Sequence, residues 1–241
     1  MIGRAKLDKE FFSAPPSLTP GFSAGNVQVQ HKAGIYSIES LFTLKKLLAE
    51  KRAEKEDPIL RFLVDKSGIA WFARETRPGN HAPKHYQMTG ESINNAYCVT
   101  AGNIKFKNTS FTTLKSITHK SGDFHPSFHS LRLFLAILIV NEKMLPFKLP
   151  RILVVKEYDA QGKMRRKHRW PITQIKNWVT NFSTNQELIN ILTNQVTESK
   201  TVHYEAVNFT NNKIHEIQNN ALSSPKNRRS MFKKLFYKLF F

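Results

Sequence analysis

A run of ten residues, LRLFLAILIV at positions 131–140, constrains the fold more than any other stretch of this chain. Every residue in it except Arg132 is apolar, which is too dense a pattern for a helix with one buried stripe, so we expect neighbours on most sides. The uninterrupted part, Leu133–Val140, is far shorter than the roughly 20 residues that a membrane span requires. Pro126 lies just upstream and suits the first turn of a helix. The sequence therefore predicts a buried helix over about residues 127–142.

The stretch before this run has the pattern of β-strands. β-Branched and aromatic residues alternate on both sides of DKSG at positions 65–68, a sequence typical of hairpin turns. We expect strands over about 59–64 and 69–75, and further short strands over about 96–107 and 111–119. Together they predict a small antiparallel sheet in the centre of the chain.

Elements on either side complete an α+β fold, in which helices pack on this sheet. Leucines at helical spacing predict a helix over about 38–55, with Ser37 as its N-cap. Residues 151–170 predict a second hairpin that turns at Asp159–Gly162, and residues 183–196 predict a further helix.

Composition along the chain predicts four segments. The first is rich in proline and glycine and is expected to be extended, whereas the third is polar and rich in asparagine. The predicted segments are an N-terminal arm over 1–34, an α+β core over 35–198, a polar linker over 199–226 and a basic amphipathic helix over 227–241.

The last segment, within KNRRSMFKKLFYKLFF, places apolar residues on one helical face among many cations and no acid. Three roles fit this pattern: docking on the protein's own core, insertion into a calmodulin-type groove, or association with an anionic membrane. The membrane role is predicted to use Arg228, Arg229, Phe232, Lys233, Lys234, Phe236, Lys238 and Phe240.

The charge of the chain limits its partners. Lys and Arg number 37 against 18 Asp and Glu, which gives a formal charge of +19. A surface this positive favours an acidic protein, an anionic membrane or nucleic acid. The stretch KMRRKHRW, 163–170, supplies cations for phosphates and Trp170 for stacking on a base, so non-specific nucleic-acid binding is one alternative. Charge alone does not choose among these partners.

The N-terminus and the cysteine content bear on location. The N-terminal stretch has no continuous apolar core, so we expect no secretory signal, no membrane span and a cytoplasmic location. Cys98 is the one cysteine of the chain, which excludes an internal disulfide. Its neighbours predict a strand, so we expect a small buried residue rather than a nucleophile.

A cluster of His119, Asp123, His125 and His129 precedes the apolar run. Imidazole and carboxylate groups suit a divalent metal, but their spacing here matches no metal-binding signature. We therefore predict neither a metal nor a cofactor, and interpret the cluster as a turn in which Gly122 adopts a positive φ.

Three short segments carry a family resemblance. They are KHYQMTG around His85, Thr100-Ala101-Gly102, and SGDFHP at 121–126. In order and spacing, residues 58–130 resemble a domain found in toxin and effector proteins of bacteria and in plant IQ-motif calmodulin-binding proteins. The family has two serines where this chain has Tyr86-Gln87, and a histidine where it has Asp123.

The resemblance implies an effector- or toxin-like protein that a bacterium secretes without a cleaved signal. Such a protein acts in the host cytoplasm, where the basic surface is expected to bind an acidic partner or an anionic membrane. No established reaction comes with the resemblance, and the candidate catalytic residues are His85, Tyr86, Asp123 and His125. The alternative is a transferase related to ADP-ribosyltransferases, with a pocket near His85 and with Glu75 or Glu91 as the orienting carboxylate. Whether the protein is an enzyme stays open at this level, as does its oligomeric state.

Overall fold

An eight-stranded sheet organises the part of the chain that the computed structural model describes, which comprises residues 18–21, 34–75, 82–182 and 186–204. The sheet order is β10-β2-β4-β3-β6-β7-β8-β9, and β1 and β5 form a separate short pair. The strands are β1 (Thr19–Pro20), β2 (Gly34–Ser40), β3 (Ile59–Val64), β4 (Ala70–Arg74), β5 (Tyr97–Cys98), β6 (Thr100–Phe106), β7 (Leu114–Thr118), β8 (Ile152–Tyr158), β9 (Met164–Pro171) and β10 (Lys200–Tyr204). The helices are α1 (Leu44–Ala53), α2 (Leu131–Val140), α3 (Ile172–Phe182) and α4 (Gln186–Thr193).

The α+β class is as expected, but the sheet is neither small nor purely antiparallel. Strands β7 and β8 are parallel, with Ser116 opposite Val154, and every other neighbouring pair in the sheet is antiparallel. A parallel pair needs a long crossover, which here contains α2. The predicted hairpin at 151–170 therefore extends the central sheet through this crossover instead of standing apart from it.

The predicted hairpin of β3 and β4 is confirmed. Gly68 has φ +80° and its N–H donates to the carbonyl of Asp65 at 3.0 Å, so glycine supplies the left-handed turn position. Gln195, which is distant in the sequence, forms two hydrogen bonds to the backbone of this hairpin. Its Oε1 accepts the N–H of Ala70 at 2.9 Å and its Nε2 donates to the carbonyl of Gly68 at 3.1 Å.

The predicted helix over 38–55 is wrong at its start. Residues up to Ser40 form β2, and α1 begins at Leu44 with Thr43, not Ser37, before it. Tyr36 and Ile38 are buried, whereas the residues between and before them are exposed, which is the two-residue period of a strand.

The predicted segment boundaries also change. Lys200–Tyr204 pairs with β2 along its whole length, so the folded unit continues through Tyr204 and this part of the predicted 199–226 linker is a strand. Thr19–Pro20 of the predicted arm pairs with Tyr97–Cys98. The predicted helix over 227–241, with its membrane-binding residues, lies outside the described residues.

Helices cover one face of the sheet and form the main core. The predicted buried helix is confirmed as α2, preceded by a short 3₁₀ turn at Phe128–Ser130. Phe134 of α2 stacks on Phe62 with ring centroids 3.8 Å apart and also contacts Phe72. Since both strand phenylalanines are fully buried, α2 seals the middle of the sheet.

The opposite face is covered only in part. A smaller apolar cluster lies over β2, β4, β3 and β6, and it includes Leu63, Tyr86, Cys98 and Phe124. It does not extend to β8, where Ile152 keeps 43% of its surface exposed. Across the described ranges, none of the helices has the length and apolar character needed to cross a membrane.

Candidate functional site

The three segments that carry the family resemblance meet at one junction. His85 precedes a 3₁₀ turn, and its Nε2–H donates to the carbonyl of Gly102 at 2.9 Å. The backbone N–H of Tyr86 donates to the Asp123 carboxylate at 3.4 Å. His85 and Tyr86 are buried and Asp123 is half-buried. Three of the four residues predicted as a catalytic set are therefore neighbours.

Close backbone packing explains the glycine of the second segment. A Cβ at Gly102 would lie 1.8 Å from the carbonyl oxygen of Thr118 on β7. No side chain fits there unless the two strands separate, so Gly102 allows β6 and β7 to approach while its own carbonyl accepts from His85.

Burial and neighbouring charges set the ionisation of His85. Burial lowers its pKa below the ordinary value, the Asp123 carboxylate opposes that change, and the Arg61 guanidinium adds to it. Arg61 is itself held by the carboxylate of Glu75 and the carbonyl of Pro83. The junction therefore stabilises a neutral imidazole whose Nε2–H is committed to the backbone.

His119 is a second buried histidine, and both its ring nitrogens bind backbone. Its Nδ1–H donates to the carbonyl of Pro126 at 2.8 Å, and its Nε2 accepts the N–H of Tyr158 at 2.9 Å. A carbonyl only accepts and an amide N–H only donates, so the ring is the neutral Nδ1–H tautomer. Burial lowers the pKa of His119 in agreement. This histidine ties the 121–126 turn to β8 and has no nitrogen left for a metal.

The 121–126 turn differs from the prediction. Gly122 does not adopt a positive φ, and a Cβ there would meet no atom within 4 Å. The left-handed position is His125, with φ +48°, and its side chain is exposed. Histidine tolerates this conformation better than most residues. The fourth predicted catalytic residue is thus at the surface, unlike buried His85.

No metal or thiol chemistry is favoured by the geometry. Within the described ranges, no three His, Cys, Asp or Glu side chains converge to hold a metal ion. Cys98 is buried in β5, and burial raises the pKa of its thiol far above the ordinary value. It is the small, buried residue that the sequence predicted.

The second predicted functional feature, the basic stretch 163–170, forms most of β9 at the end of the sheet. The prediction that Trp170 stacks on a base is wrong, because this side chain is buried and packs against Trp178 at 5.9 Å. His168 also points inward, under the ring of Phe128 at 4.8 Å. Strand alternation places both residues on the helix-covered face.

Four cations of β9 remain exposed, and with half-buried Lys156 of β8 they form what we call the basic hairpin surface. Lys156 lies opposite Lys167, and Val154 opposite Arg169. Among the described residues, no ion pair involves any member of this surface. The exposed members are Arg165, Arg166, Lys167 and Arg169.

The two carboxylates of the hairpin do not neutralise these cations. Glu157 accepts from Nε2 of His168 at 2.9 Å on the inner side. Asp159 accepts the N–H groups of Gln161 and Lys163 within the turn. Sequence reasoning missed the pairing of Glu157 with His168, because only the register of two adjacent strands brings these side chains together.

Comparison with known proteins adds no relative: no protein-family model, no curated protein and no solved structure matches this chain. The resemblance of residues 58–130 to the effector-associated domain therefore stays a prediction.

Proposed function

We propose that this chain is an effector-like protein that acts inside a host cell by binding an acidic partner protein, and that the basic hairpin surface makes the contact. The observation that carries the proposal is a set of exposed cations without ion-pair partners on the end strand of the eight-stranded sheet. No catalytic step is part of it.

Long-range electrostatic attraction acts before contact. A formal charge of +19 draws an acidic partner towards the molecule and raises the rate of encounter. Contact then depends on cations that are not already paired. The hairpin supplies them, because Glu157 and Asp159 are engaged inside it.

The His85 junction favours binding over the transferase alternative. His85 and Tyr86 are 6% and 1% exposed, and the Nε2–H of the histidine already donates to a carbonyl. A general base needs a nitrogen that reaches substrate. The arrangement supports a structural role, in which the junction holds residues 82–99 against the sheet.

The effector-like part of the proposal depends on the family resemblance. Its three segments lie far apart in the sequence and are joined by two hydrogen bonds, from His85 to Gly102 and from Tyr86 to Asp123. Such a junction is expected if the segments form one structural unit.

The test compares two charge variants of the full chain that lose the same number of cations. One replaces Arg165, Arg166, Lys167 and Arg169 with glutamine. The control replaces four exposed cations on and after α1, namely Lys45, Lys46, Arg52 and Lys55. Binding to fluorescent polyglutamate, to vesicles containing phosphatidylserine and to a single-stranded oligonucleotide is measured in parallel.

We expect the hairpin variant to lose at least about tenfold in polyglutamate affinity, or about 1.4 kcal/mol. The control is expected to lose less than about threefold, from the general reduction in charge. Equal losses in the two variants would contradict a localised surface. Hairpin-dependent binding to vesicles or to the oligonucleotide, without binding to polyglutamate, would replace the acidic protein with that partner.

A further inference from the structure

Strand β9 is the last strand of the sheet, so one side of its backbone has no neighbouring strand among the described residues. It is eight residues long, which is ample for further pairing. The end strand of an open sheet presents a row of N–H and C=O groups that can bind another extended chain.

The ladder identifies which backbone groups face outward. In an antiparallel pair, alternate residues bond to the partner strand and those between them point away from it. The N–H of Ile172 donates to the carbonyl of Arg151 at 3.0 Å. In this register, the even-numbered residues of β9 therefore form the backbone hydrogen bonds to β8. On β8, the N–H of even-numbered Tyr158 points away from β9 and donates to His119. This agrees with odd-numbered residues of β8 bonding to β9. Lys167 and Arg169 therefore direct their backbone groups outward.

Pro171 agrees with this assignment. Proline has no N–H to donate and is tolerated in a strand where that group would face away from the ladder. Residue 171 is odd-numbered and lies opposite Ile152 in the same register. The chain thus already carries proline at an outward position of β9.

We propose that the outer edge of β9 binds an acidic, extended segment of the partner by strand addition. This inference deepens the proposed function and depends on it. Main-chain hydrogen bonds to Lys167 and Arg169 position the added strand, and cations next to them bind its acidic side chains. The occupant is a peptide segment, since neither a lipid surface nor a nucleic acid completes a backbone ladder.

The side-chain pattern favours a strand that is acidic on one face, the face that meets Lys167 and Arg169. Lys167 and Arg169 project to the partly open face, together with Lys156, whereas Arg166 projects to the opposite face beside Glu157. Alternate residues of an added strand face Lys167 and Arg169, and the residues between them face the side that carries Arg166 and buried His168 and Trp170. Opposite charges across neighbouring strands stabilise a pair.

Basic side chains at a sheet edge also serve to prevent unwanted pairing. On β9 these side chains repel some strands and attract others. A second copy of β9 brings like charges into register and is repelled, whereas an acidic strand is attracted. The composition that prevents self-association therefore defines the one kind of strand that this edge accepts.

The experiment uses the full chain and a twelve-residue peptide of alternating Glu and Val. The control peptide has the same charge and length but carries proline at every third position, so that it cannot form a ladder. In the protein, Arg169→Gln removes the charge and keeps the N–H, whereas Arg169→Pro removes both. Since residue 169 does not bond to β8, the proline spares the β8–β9 ladder.

We expect the alternating peptide to bind at least fivefold more tightly than the proline control. Arg169→Pro is expected to weaken binding at least fivefold more than Arg169→Gln, with an unchanged melting temperature. Amide exchange of the unaltered protein gives a measurement independent of folding. The N–H groups of Lys167 and Arg169 are expected to slow at least tenfold when the peptide binds.

Equal affinity of the two peptides, with no slowing of exchange at these amides, would overturn strand addition. If the four-glutamine hairpin variant still loses affinity in that case, the proposed binding surface stands and only its mode is wrong. If that variant and the unaltered chain bind polyglutamate equally, the proposed function itself fails.

Discussion

Replacing Gly102 with alanine tests whether the approach of β6 and β7 is as close as the structure has it. The new Cβ would lie 1.8 Å from the Thr118 carbonyl oxygen and 2.9 Å from Cα of His119. Both contacts are with backbone, so no side-chain rotation relieves them. Since Cβ contacts below 3.0 Å are essentially never seen, the strands must separate by at least about 1.2 Å, which exceeds what a well-packed core absorbs easily.

The cost follows from what that separation breaks. Ladder hydrogen bonds next to the pair of Asn103 and Thr118 lengthen beyond a normal bond, at about 1 kcal/mol each. The bond from His85 to Gly102 is displaced as well, and overpacking itself costs about 1–3 kcal/mol. We expect the free energy of unfolding to fall by about 3 kcal/mol.

Urea denaturation measures this change as a lower midpoint at unchanged slope. The matched control is Gly122→Ala, where a Cβ meets nothing within 4 Å and the effect should stay within about 0.5 kcal/mol. If Gly102→Ala is as stable as the control, the packing argument is refuted.

Three further predictions concern buried groups. Burial lowers the pKa of His85 and of His119 below the ordinary histidine value of about 6.5, so the unfolded chain binds more protons and stability is lost as the pH falls below that value. Urea titrations at pH 7.5 and 5.5 should differ by up to about 3 kcal/mol, and equal values would contradict neutral buried rings. Gln195→Ala should cost about 1–3 kcal/mol in the same assay, because it leaves buried backbone groups of the β3–β4 hairpin unpaired, whereas exposed Gln186→Ala should be near neutral. Cys98 should resist an aromatic disulfide reagent until urea unfolds the chain, and rapid labelling of the native protein would show that its thiol is accessible.

The sequence predicted those elements whose signals lie within the element itself. The β3–β4 and β8–β9 hairpins have turn residues between alternating strands, and α2 has a density of apolar residues that only a buried helix tolerates. No neighbouring element was needed to recognise them.

Elements that depend on distant partners were missed. Strand β10 has a polar sequence and exists because β2 pairs with it. The end of β2 falls within the predicted helix over 38–55 because helical leucines follow it directly. Helix α3 was assigned no structure. Its β-branched residues favour helix weakly, so packing against α2 decides its form.

For the candidate sites too, the sequence indicated the residues, but their contacts and exposure depend on distant parts of the chain. The His85, Gly102 and Asp123 segments came from a resemblance in order and spacing, and the contacts between them are long-range. The basic stretch was evident from composition, but which of its residues face water was not. Trp170 and His168 lie inside because the register of β9 places both on the helix-covered face, opposite buried Leu153 and Val155.

The pairing of β10 with β2 also determines when this domain can finish folding. Lys200 lies opposite Ile38, about 160 residues earlier in the chain, so this contact has a high loop-closure cost and forms late. At roughly 5–20 residues per second, a ribosome needs roughly 10–30 s between making the two strands. Once β4 has paired with β2, and until β10 emerges, Tyr36 and Ile38 lie on an incomplete sheet whose outer edge is open to other nascent chains. We expect the folding yield during synthesis to depend on keeping the free edge of β2 from pairing with other chains until β10 emerges.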